Sequence, residues 1–123
     1  MSDVLLDAHF DLVPVSKPRP ANNRVSWHVR AKTFKVFRDE MHFMLGQVEK
    51  HAPKVDPPYI VEIMFFDWRW NADPENWAGG ILDSLKPWPL PDDSFRYIES
   101  LRVSRCKVKQ DGGGFRVTVR GAS

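Results

Sequence analysis

Tyr59-Ile60-Val61-Glu62-Ile63-Met64-Phe65-Phe66-Asp67 is the stretch on which the fold turns. Apart from Glu62 it is apolar on both alternating faces, and prolines precede it, so it reads as an interior strand. Downstream, Asp73-Pro74-Glu75-Asn76 opens a short helix: an N-cap, a proline at the first helical position and an acid in the first turn. Trp77, Ile81 and Leu85 give that helix a buried stripe, and Pro87, Pro89 and Pro91 stop it. Tyr97–Val108 and Phe115–Val119 alternate as strands, with Gln110-Asp111-Gly112-Gly113-Gly114 between them as the predicted connection of a hairpin. Upstream, Phe34, Phe37, Met41, Met44, Leu45 and Val48 recur at three- and four-residue spacing, which predicts a helix over Thr33–His51, halted by Pro53. Before it, His9–Val15 alternates as a short first strand and gives way to Lys17-Pro18-Arg19-Pro20 and the turn residues Asn22-Asn23. The predicted order is strand, helix, strand, helix, hairpin. That order implies an α+β fold with two helices on one mixed sheet.

A chain of 123 residues fits a single domain, residues 1–123, able to bury roughly two-thirds of its extended surface. With 42% hydrophobic and 28% charged residues the composition is that of a globular protein rather than a disordered one. The longest apolar run falls far short of the roughly 20 residues that cross a bilayer, so no membrane span is expected. The opening Met-Ser-Asp-Val-Leu-Leu-Asp has neither a basic region nor an apolar core, and the expected compartment is the cytoplasm. Cys106 is the only cysteine, which excludes an internal disulfide and a multi-thiolate zinc site. The four histidines lack metal-ligand spacing, and no glycine-rich phosphate loop calls for a nucleotide cofactor.

The net charge of +2 conceals strong segregation. Leu12–Arg38 holds seven basic residues, Lys17, Arg19, Arg24, Arg30, Lys32, Lys35 and Arg38, and no acid. Asp56–Asp93 holds eight acids against Arg69 and Lys86, and Ser94–Ser123 is basic again, with Arg102, Arg105 and Lys107 among its cations. Such flanks attract a polyanion, and the acidic middle repels it unless a divalent cation intervenes.

Within that middle, Asp73, Glu75 and Asn76 cluster at a helix start, and Asp92-Asp93 follow a proline-rich turn from its far end. Taken singly, Asp73 reads as an N-cap and Asp92-Asp93 as a turn pair. Taken together, they are the oxygen donors a hard cation such as Mg²⁺ or Mn²⁺ requires, and such ions assist phosphodiester cleavage.

These residues resemble, in order, the pattern of the RusA-type Holliday-junction resolvases. That family has Asp-x-Asp-Asn opening a helix, an Asp seven residues after the Asn, and a loop ending in Asp-Asp. Asp73, Glu75, Asn76, Asp83 and Asp92-Asp93 fill those places here. Pro20-Ala21-Asn22-Asn23-Arg24 resembles the family's Pro-Ser-Asn-Asn-Arg, Phe37-Arg38-Asp39 its helical Tyr-Arg-Asp, and the glycine-containing terminal segment also corresponds. The resemblance implies a homodimeric, Mg²⁺-dependent endonuclease that resolves four-way DNA junctions by paired nicks. It further implies Asp73, Glu75 and Asp93 as catalytic metal ligands, with Asn76, Asp83 and Asp92 in supporting places. Asp83 lies two helical turns, roughly 10 Å, from Asn76 and suits a structural role better than ligation. Lys17, Arg19, Arg24, Arg30, Lys32, Arg102, Arg105 and Lys107 are the expected phosphate contacts to branched DNA.

Two positions depart from the family. Its second Asp is Glu75, one methylene longer, and its catalytic Lys three residues after the Asn is Gly79. Arg69, Lys86 and Arg102 are the candidates to supply that charge from another element. The alternative is a protein that keeps the scaffold and binds branched DNA without cutting it. Trp68 and Trp70 are read as packing residues of the core or a dimer interface, with stacking on a base as the second reading.

Overall fold

A computed structural model describes residues 3–16 and 24–122, the side chains of 24–27 excepted. The elements in chain order are β1 (Val4–Phe10), α1 (Arg24–Glu49), β2 (Tyr59–Phe65), α2 (Pro74–Ser84), β3 (Ile98–Arg105) and β4 (Phe115–Gly121). They form the single α+β domain expected, a mixed four-stranded sheet of order β1-β4-β2-β3 with two helices. Strand β4 pairs antiparallel with both β1 and β2, while β2 and β3 run parallel.

The stretch Tyr59–Phe65 is interior as its composition demands, with β4 on one side and β3 on the other. Val61, Ile63 and Phe65 face the helices together with Val117, Val119 and Phe115 of β4, and all six are buried. From α1, Phe34, Phe37, Met41 and Leu45 close over them, and from α2, Ala78, Ile81 and Leu85. Met44 and Val48 of the predicted stripe, and Trp77 of α2, are half-buried against the same core.

Three sequence expectations need correction. The terminal pair is not a hairpin: β3 and β4 are separated by β2. The connection between them instead passes around the end of β2. The Cys106 N–H donates to the Phe65 carbonyl (2.8 Å), that of Gln110 to Phe66 (2.8 Å), and those of Phe66 and Asp67 to Gly114 (3.0 and 3.3 Å). Gly112 and Gly114 take positive φ there, and a Cβ on Gly114 would collide with the Phe10 carbonyl oxygen. The first strand is Val4–Phe10 rather than His9–Val15. Its inward residues Leu6, Ala8 and Phe10 continue upstream the parity read from Phe10, and a register shift between Val4 and Leu6 buries Leu5 as well, which breaks the alternation. Helix α1 begins at Arg24, not Thr33. Its 26 residues span roughly 39 Å, against roughly 23 Å for a seven-residue strand, and no residue from His28 to Thr33 is buried.

Both helices lie on one face of the sheet. Among the described residues no helix covers the other face, which carries Asp7, Glu62, Arg102, Arg116 and Thr118 around a shallow hollow of about 370 Å³. Arg116 donates to both carboxylate oxygens of Asp7 (2.8 and 2.7 Å), clamping β4 to β1. Among the described residues no helix is long and apolar enough to cross a membrane.

Candidate functional site

Asp73 is the N-cap of α2, as its position before Pro74 predicts. It is extended (φ −91°, ψ 109°), and its Oδ1 accepts from the backbone N–H groups of Glu75 (2.9 Å) and Asn76 (3.4 Å). Pro74 has no N–H to satisfy, so that single oxygen serves the first turn. Asp73, Glu75 and Asn76 are all exposed, with two negative charges at the positive end of the helix.

Asp93 belongs to a different group. Lys86, just beyond the C-terminal end of α2, places its Nζ 3.3 Å from Asp83 Oδ1 and 3.8 Å from Asp93 Oδ2. Asp83 follows Asp73 by ten residues, roughly 15 Å along the helix axis. The acidic residues are thus divided between the two ends of α2, with Lys86 neutralising the second group. Asp92 is exposed beside it and accepts from the Asp93 N–H (2.9 Å); that backbone hydrogen bond is the main reason its carboxyl is held below the usual carboxylate range. Among the described residues no three carboxylate, imidazole or thiol side chains gather closely enough to hold one ion. Mg²⁺ commonly takes one or two carboxylates and completes its shell with water and substrate phosphates. Asp73 and Glu75 fit that open kind of site; Asp93 is not brought to them. At Gly79 a Cβ would meet nothing within 4 Å, so the place of the family's Lys is empty space that a side chain could enter.

The expected phosphate contacts scatter. Lys17 and Arg19 lie outside the described residues, as does the side chain of Arg24. Arg30 and Lys32 are exposed on the N-terminal half of α1, and Lys107 follows β3. Arg102 and Arg105 are three residues apart on one strand and so point to opposite faces: Arg102 to the face opposite the helices, Arg105 to the helix side.

Arg105 enters an arrangement that no local pattern predicts. Phe65 and Arg105 are register partners at the ends of the parallel strands, and beyond them the chain after β2 folds back as Trp68-Arg69-Trp70. Trp68 is core, 6% exposed, and its indole N–H donates to the Cys106 carbonyl (3.0 Å). Trp70 is 83% exposed, its ring edge-on to Trp68 at 4.8 Å between centroids. The Arg105 guanidinium carbon stands 4.3 Å from the Trp68 ring centroid and 5.0 Å from that of Trp70. Trp68 is thus packed in the core as expected, whereas Trp70 is not a core residue. These residues, with Arg69, Pro74 and Trp77, line a cleft of about 290 Å³ at the C-terminal ends of β2 and β3, where parallel strands commonly present ligand sites. Asp73 sits between two lining residues, Ala72 and Pro74, so the acidic helix start is on the rim of the cleft. No protein-family model matches this chain, and no curated protein or solved structure matches it either.

Proposed function

We propose that this chain is a Mg²⁺-dependent endonuclease of the RusA type that resolves branched DNA, four-way junctions above all. The observation that carries the reading is the exposed pair Asp73 and Glu75 on the first turn of α2, at the rim of a cleft bearing Arg69 and Arg105. Asp73 and Glu75 would hold the metal, Mg²⁺ or Mn²⁺, which supplies an activated water and charge neutralisation at the scissile phosphate. The chain's own residues fix the rest. The two backbone N–H groups hold the Asp73 carboxylate in one orientation, the arginines engage phosphates, and Lys86 keeps Asp93 beside Asp83. A homodimer suits the two-fold symmetry of a junction. Its contact would run along α1, where Val29, Val36 and Phe43 recur every seventh residue on an exposed stripe. Arg30, Lys32 and Lys35 precede Asp39, Glu40 and Glu49 on that helix, a charge order suited to antiparallel pairing of two copies.

The test is a synthetic four-way junction with Mg²⁺. Paired nicks are expected from the native protein, with Asp73→Asn binding the junction but not cutting it. No cleavage with either Mg²⁺ or Mn²⁺ would overturn the catalytic reading. A second reading, a junction-binding protein without nuclease activity, is favoured by Gly79 and by the engagement of Asp93 with Lys86. Cleavage by Gly79→Lys and none by the native chain would select it.

A further inference from the structure

We propose that the cleft between the ends of β2 and β3 holds one unpaired nucleotide, its base stacked on Trp70 and its phosphate held by Arg105 and Arg69. The idea rests on the nucleic-acid reading above and adds a recognition element to it.

An indole that is 83% exposed is an unusual thing to keep on a surface, and here it is held in place. Trp68, anchored through its bond to the Cys106 carbonyl, fixes one edge of Trp70, and Arg105 stands against both rings. Little side-chain freedom is then lost when a planar ligand covers Trp70. The cleft volume, about 290 Å³, is at the small end for ligand sites and suits a single ring system. Its lining is aromatic and carries two cations, Arg69 and Arg105, with no carboxylate among the lining side chains. With Asp73 and Glu75 on the rim neutralised by a divalent cation, that charge favours an anionic partner. A guanidinium already stacked on indole can keep that contact while its N–H groups bind a phosphate. Aromatic face and phosphate-binding cation side by side are the two parts of a single-strand site. A duplex offers no free base face, so the cleft discriminates for branch points, flaps and frayed ends, where a base is already unpaired.

The test uses full-length protein and fluorescence anisotropy with a labelled thymidine oligonucleotide, the same strand carrying abasic sites, and a blunt duplex. The native protein is expected to bind the intact strand about tenfold more tightly than the abasic one. Trp70→Ala should erase that difference and Trp70→Phe should keep most of it, with thermal unfolding checking that both variants fold. Arg105→Ala should flatten the salt dependence of strand binding. Equal native affinity for intact and abasic strands would overturn the proposal, as would a preference that survives in Trp70→Ala. Trp70-dependent binding of a proline-rich peptide, with none of the oligonucleotide, would also overturn it. Junction nicking is scored separately: nicking without the base-dependent gap leaves the nuclease reading standing and this one fallen, and the gap without nicking does the reverse.

Discussion

Replacing Asp73 by Asn and by Ala separates two jobs performed by one carboxylate. Its Oδ1 satisfies two N–H groups of the first turn of α2, at 2.9 and 3.4 Å. Asn presents a carbonyl oxygen in the same place and is as good a cap, so Asp73→Asn sacrifices only the interaction of a charge with the helix end, about 0.3–1 kcal/mol. Ala leaves both N–H groups to water and is expected to cost about 1 kcal/mol more, or about 4 °C in Tm for a domain of this size. Urea unfolding monitored by tryptophan fluorescence reads the stability order as native, then Asn, then Ala. Junction nicking reads a different order, because neither Asn nor Ala can supply an anionic ligand, and both should be inactive. If Asn and Ala unfold at the same urea concentration, the capping argument is wrong. Nicking by Asp73→Asn at the native rate would remove Asp73 from the chemistry and leave it a cap alone.

Three further outcomes follow from the same geometry. Gly79→Ala should stabilise the protein by up to about 1 kcal/mol, because helix propensity improves and the new Cβ meets nothing; a loss of stability in urea would contradict this. Gly114→Ala should cost more than about 2 kcal/mol, since a positive φ and a collision with the Phe10 carbonyl act together, and a Tm within a degree of native would refute it. The Asp7 carboxyl is held below its ordinary value chiefly by its hydrogen bonds from Arg116. The stabilisation from this pair is present above the unfolded carboxyl's pKa, near 3.9, and is lost as pH falls through the lower folded value. Arg116→Ala should therefore be slightly less stable than native at pH 6, the effect being small for so exposed a pair, and the gap should close in acid; a gap independent of pH would show that the pair is not its source.

What the sequence discloses depends on how far apart the cooperating residues lie. Tyr59–Phe65 is legible as interior because its own composition reports burial on both faces, and the start of α2 because cap, proline and first-turn acid are consecutive. The separation of β3 from β4 is not legible in this way, because an interior β2 is compatible with several strand orders and the glycine-rich Gln110–Gly114 segment imitates the local signal of a turn. The stretch His28–Thr33 of α1 leaves no periodic trace because none of its residues is buried. In the candidate site, the carboxylates of α2 are visible as a motif, while the attachment of Asp93 to Lys86 depends on the path of the intervening loop. The meeting of Arg105 with Trp68 and Trp70 depends on the parallel register of β2 and β3, which no spacing along the chain encodes.

Strand β4, the last in sequence, lies between β1 and β2. Strand β1 therefore stays without its hydrogen-bonding neighbour until Phe115–Gly121, more than a hundred residues later, has joined it. Completion of the sheet is then dominated by contacts between distant parts of the chain, which favours slow folding and a prolonged interval in which apolar strand edges are open to chaperones or to aggregation.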